Sequence, residues 1–165
     1  MGPITKSQID LARNYFREHA LYPEIQTAIN GIALDYFIFP QSLKPDIPNF
    51  VYSLVSDDRQ SYLFGVSDSL REDFRRYFVF HEYIEFIELG KDSKDSCLKA
   101  LEKEIMLVPR DKLSEYLAIR KEFFEALINS AIINSDMYPR QDIQKYQKSK
   151  QRIDQMLDMI TSKAF

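Results

Sequence analysis

The run His81-Glu82-Tyr83-Ile84-Glu85 places the side chains of this sequence best suited to chemistry within one short segment. On a helix, residues four apart share a face, so His81 and Glu85 aim at one point and Glu82 projects beside them. Two ligands at i and i+4, with a carboxylate next to the first, is the spacing by which a His-Glu-x-x-His helix grips zinc and holds a general base near it. Here a carboxylate stands where that pattern has its second histidine. Zinc accepts such an oxygen, and a site richer in carboxylates also suits manganese or iron. The spacing leaves a plainer reading open, in which His81 is a hydrogen-bonded core histidine and the glutamates pair with Arg71, Arg75 or Arg76.

The element that must carry these residues is a helix from about Leu70 to Leu89, closed by Gly90. Glu72 and Asp73 fall in its first turn, where they favour the positive end of the helix dipole. Phe74, Tyr77, Phe78, Val79, Phe80, Tyr83, Ile84, Phe86 and Ile87 leave it apolar on most faces, the mark of a buried central helix. Upstream, Thr5 or Ser7 can cap a first helix along Ile9, Ala12, Phe16 and Ala20. Pro23 interrupts it, and a short second helix is expected from Glu24 to about Asn30, stopped by Asn30-Gly31. Three runs rich in β-branched and aromatic residues then predict strands near 32–38, 50–56 and 60–66. The last two form an antiparallel hairpin about Asp57-Asp58-Arg59.

Downstream, helices are expected from about Cys97 to Leu107, from Lys112 to Asn134 with Asp111 or Ser114 as cap, and from near Pro139 to Ser162. The expected fold class is α+β: a small three-stranded sheet packed on a central buried helix, with long C-terminal helices, in a single domain over residues 1–165.

A net charge of −3 argues against a nucleic-acid binder, which carries a basic surplus or stripe. The four basic residues between Lys145 and Arg152, flanked by Asp142 and Asp154, read as a solvated helix face. Cys97 has no second cysteine to pair with, which suits a reducing compartment. No stretch approaches the ~20 apolar residues of a membrane span, and the first residues lack a signal-peptide pattern, so a soluble cytoplasmic protein is expected. Four scattered glycines make no phosphate loop, and His19 suits the carbonyl end of the first helix. Ile143, Tyr146, Ile153, Leu157 and Ile160 form a stripe on the last helix that either docks on the chain's own helices or makes a homodimer or partner surface.

Residues 61–90, and within them Arg76-Tyr77-Phe78-Val79-Phe80-His81-Glu82, resemble the core of the ImmA/IrrE-type metallopeptidases, a zincin-like family. In that family a strand and a polar turn precede the ligand-bearing helix. A second helix then supplies a glutamate ligand and ends in an apolar-Leu-Met-Pro stop, which the stretch from Ala100 to Pro109 resembles. The likeness covers roughly residues 24–109, with 111–165 as a helical extension. It implies a metal-dependent peptidase that hydrolyses a regulatory protein through a metal-bound water, with Glu82 taking that water's proton. It also implies a third ligand near Leu98, which leaves Asp95, Cys97 and Glu102 as candidates beside His81 and Glu85. Each has a plainer role: Asp95 as a helix N-cap, Cys97 as a small buried residue, Glu102 as a surface charge. Because Glu85 replaces a histidine, the alternative is a catalytically inactive zincin-like domain that serves protein–protein interaction.

Overall fold

The computed structural model describes residues 3–134, 136 and 140–163. Helix α1 (Lys6–His19) opens on a capping box: the Thr5 hydroxyl accepts from the Gln8 amide, and the Gln8 side chain accepts from the Thr5 amide. Strands β1 (Ile25–Ile29), β2 (Ile32–Phe39), β3 (Val51–Val55) and β4 (Tyr62–Ser67) follow. They build one sheet in the order β1-β2-β4-β3. β1 runs antiparallel to β2, β2 parallel to β4, and β3 antiparallel to β4, so the expected hairpin of the last two strands is present.

The sheet has one strand more than the sequence suggested. The segment expected as a second short helix, Glu24 to Asn30, is instead strand β1, and Asn30-Gly31 is its hairpin turn rather than a helix stop. Both turn residues take positive φ, 51° at Asn30 and 76° at Gly31, as a two-residue turn between twisted antiparallel strands requires. Burial alternates along β1, with Ile25, Thr27 and Ile29 inward and Gln26 and Ala28 exposed. That period of two is strand periodicity.

The central helix is also segmented. A single 3₁₀ turn (Glu72–Phe74) leads into α2 (Arg75–Glu82), and from Tyr83 to Leu89 the backbone widens into a π-helix. π turns of this kind concentrate at functional sites. α3 (Ser96–Ile105), α4 (Arg110–Ile133) and α5 (Arg140–Lys163) complete the fold. α4 begins at Arg110, two residues before the expected Lys112, and Pro109 takes the N-cap position instead of Asp111 or Ser114, because a proline's fixed φ suits a helix entrance. The expected start of the last helix at Pro139 lies outside the described residues.

Tyr77, Phe78, Val79 and Phe80 of α2 are buried between the sheet and the later helices. Phe37 and Leu34 of β2, Leu63, Phe64 and Val66 of β4, and Tyr116, Leu117 and Phe124 of α4 join them in one hydrophobic cluster. At the centre of β4, Gly65 faces the Phe39 ring so closely that an added Cβ would sit 2.1 Å from a ring carbon. On α5, Ile153 is fully buried, and Tyr146, Leu157 and Ile160 pack against the same cluster. No helix among the described residues is long and apolar enough to cross a membrane.

Candidate metal centre

α2 and the π segment bring His81, Glu82 and Glu85 to the inner side of the molecule, all buried. His81 Nε2 lies 3.2 Å from Glu85 Oε2, so the i,i+4 pair converges even though the π turn begins between its members. Cys97, in the first turn of α3, places its Sγ 3.7 Å from the same Nε2. One ligand atom from each of His81, Glu85 and Cys97 falls within 4.8 Å of the other two, and this buried group can hold a metal ion.

The opposite nitrogen of His81 faces a second layer. Nδ1 is 2.5 Å from Glu104 Oε1 on α3. Arg120 of α4 grips Glu104 through Nε and Nη2 at 2.9–3.0 Å, and the Tyr116 hydroxyl donates to the same carboxylate. Arg120 and Glu104 are 1% and 0% exposed. The guanidinium also lies 3.6 Å from the centre of the Phe78 ring, which gives a buried cation a favourable face. A carboxylate on one imidazole nitrogen fixes the tautomer and orientation of the ring and leaves the other nitrogen for a metal, the arrangement found behind metal-binding histidines.

The electrostatics follow from this layering. Burial alone would push the His81 imidazole down, but Glu104, with hydrogen bonds to Cys97, Glu104 and Glu85, raises it well above its ordinary value. Burial likewise opposes ionisation of Glu104, yet Arg120 and His81 hold its carboxyl below the usual range. Burial pushes the Cys97 thiol up, and Glu85 adds to that. Glu82 stands apart. Its Oε2 accepts from Ser53 Oγ of β3 at 2.6 Å, and burial first, then Glu85, lift its carboxyl to about 7 against the opposing pull of His81. A carboxyl poised near neutrality can take and return a proton at working pH.

His81, Glu82, Glu85 and Cys97 all line one cavity of about 200 Å³, which also meets Val51 and Ser53 of β3 and Tyr146 of α5. A larger groove of about 700 Å³ shares Ser53 and Phe86 with it and continues along β3 past Val55. Among the described residues β3 is an edge of the sheet, and its Val51 and Ser53 line the cavity.

No family model matches this chain. Nor does any curated protein or solved structure.

Of the five metal-ligand candidates read from the sequence, three meet. Asp95 takes a left-handed conformation before α3 and forms no side-chain cap; its carboxylate pairs with Lys148 at 2.8 Å on the surface. Glu102 lies on the outer side of α3, where its carboxylate is 3.5 Å from Arg152. The arginines offered above as partners of the site's glutamates are engaged elsewhere. Arg71 pairs with Asp73 and Glu115, Arg75 donates to the carbonyls of Leu70 and Asp68, and Arg76 donates to the Tyr77 hydroxyl. His19 stacks on Tyr15 and its Nδ1 meets the Tyr15 carbonyl, far from this chemistry.

Sequence reasoning missed Glu104, Arg120, Tyr116 and Ser53. Glu104 carried a readable signal: it is seven residues after Cys97, two helical turns along the same face, whereas Glu102 is not. Arg120 carried none beyond its neighbours Phe123 and Phe124, since an arginine on a helix is ordinarily solvated.

Proposed function

We propose that this chain is a zinc-dependent peptidase of ImmA/IrrE type on a zincin-like fold, acting in the cytoplasm on a regulatory protein. The observation that carries the reading is the convergence of His81, Glu85 and Cys97 on one point, with Glu82 in the same cavity. An imidazole, a carboxylate and a thiol are a donor set suited to zinc, and the sulfur weighs against manganese. A buried Glu104 behind the imidazole supports the same assignment. When bound, the ion supplies a Lewis acid that polarises a carbonyl and makes a water acidic near neutral pH.

The chain's own residues supply the rest. Glu82, held by Ser53, accepts the water's proton and later returns it to the departing amine. The unpaired edge of β3 offers backbone groups to an extended peptide, the mode by which sheets add a strand from a partner. The groove continuing past Val55 gives that peptide room on one side of the reacting bond.

The test is the metal content of chelator-free protein, by mass spectrometry, beside His81→Ala. About one zinc per chain, lost in the variant, is expected. No metal after reconstitution with zinc, manganese and iron would make this an inactive shell that binds protein partners.

A further inference from the structure

α5 lies outside the segment whose motifs resemble a peptidase core, yet it reaches the cavity. Four hydrogen bonds from three of its residues fasten it against the start of α3 and the loop before it. Lys145 Nζ donates to the Lys91 carbonyl and to Ser96 Oγ, Lys148 pairs with Asp95, and the buried Ser149 donates to Cys97 Sγ at 3.2 Å. These positions share one side of the helix with Tyr146, which lines the cavity.

The side chains lining the cavity that can donate a hydrogen bond, other than the metal-binding group, are Lys44, Ser53 and Tyr146. Ser53 is committed to Glu82. Lys44 is exposed at the mouth, 5.9 Å from the Phe50 ring centre. Tyr146 is half-buried, its ring 6.5 Å from that of Phe124. A phenol is protonated at neutral pH and therefore a donor. A preorganised donor aimed at the place where charge develops is what lowers the barrier of acyl transfer.

We infer that Tyr146 donates a hydrogen bond to the oxyanion formed when a peptide carbonyl is attacked in this cavity, an inference that rests on the peptidase reading above. Water oxygen bonds to the carbonyl carbon, the carbonyl π pair moves onto its oxygen, and the water's proton goes to Glu82. Tyr146 stabilises the resulting charge without losing its proton. The C–N bond then breaks as Glu82 returns the proton to the amine nitrogen. The C-terminal helix is thus part of the catalytic apparatus.

Inorganic phosphate is the probe, a tetrahedral oxyanion small enough for the cavity. Zinc-loaded wild type and Tyr146→Phe are titrated with it calorimetrically, after zinc content and circular dichroism are recorded for both. Equal zinc content and fold are expected, with phosphate binding weakened about tenfold or more in the variant, the effect of losing a hydrogen bond to a charged group. Equal phosphate affinities, or no phosphate binding by zinc-loaded wild type, overturn the inference. Absence of zinc from wild type overturns the peptidase reading first and this inference with it. Should Tyr146→Phe not fold, the tyrosine ultraviolet difference spectrum of zinc-loaded wild type decides. A phosphate-induced shift supports the inference, and a flat difference spectrum overturns it.

Discussion

Arg120→Met separates two roles of the buried layer behind His81. The substitution keeps most of the side-chain volume beside Phe78, Phe123 and Phe124 but removes the cation that holds Glu104. Glu104 is left buried with the Tyr116 hydroxyl and His81, after losing its contacts to Nε and Nη2. Removing one partner of a buried ion pair costs about 3–5 kcal/mol when the remaining charge is left uncompensated, and the His81 imidazole beside Glu104 sets the loss toward the lower end of that range. That is a large share of the ~5–15 kcal/mol that holds a domain folded. With a urea slope of about 2 kcal/mol per molar, the midpoint should fall by roughly 1.5–2.5 M. Glu104→Gln alone should be damaging for the mirror reason, a buried guanidinium without its carboxylate. The double variant holds neither orphaned charge and should be more stable than Arg120→Met. Urea titrations followed by circular dichroism on the four proteins read this directly. Losses that add in the double variant, or a single variant within about 0.5 kcal/mol of wild type, would refute the claim that the pair stands in a dry interior.

Two further outcomes follow from the same geometry. Glu82 titrates near 7 in the metal-free fold, above its ordinary 4.5, so the folded chain holds a proton that the unfolded chain releases. Stability should then fall as pH rises from about 4.5 to about 7, by roughly 2–4 kcal/mol, and Glu82→Gln should flatten that slope in metal-free protein. Urea midpoints that decline equally in both proteins would assign the pH dependence elsewhere. Gly65→Ala should cost about 1–3 kcal/mol, because the Phe39 ring it would strike is itself packed against the rings of Phe16, Phe37 and Tyr52. A melting temperature unchanged from wild type would contradict that packing.

What could be read in the sequence was what depends on local periodicity. The helix carrying His81 and Glu85 was legible because almost every residue around them is apolar. The β3–β4 hairpin was legible from two aromatic, β-branched runs and a three-residue polar break. β1 was not, since its five residues include Gln26 and Ala28, which favour helix, and only the cross-strand pairing of Ile25 with Tyr36 and Ile29 with Ile32 decides its state. The site divides in the same way. His81 and Glu85 could be proposed from their spacing, whereas Cys97 was one of three third-ligand candidates, beside Asp95 and Glu102, that only the family resemblance implied. The partners that fix them, Arg120 and Ser149, come from helices that pack against α3 only in three dimensions. The π turn from Tyr83 was equally hidden, because no residue in that run forces it.

The fastening of α5 also sets an order of events at the ribosome. A chain emerges from its N-terminus and folds progressively, and α5 is made after every other described element. Until it docks, Cys97 Sγ lacks its Ser149 donor, and the cavity lacks the wall that Tyr146 provides. A nascent chain therefore carries His81, Glu85 and Cys97 while still open on that side. The pocket closes only when α5 docks, so a copy that has not yet made α5 has no enclosed cavity beside His81.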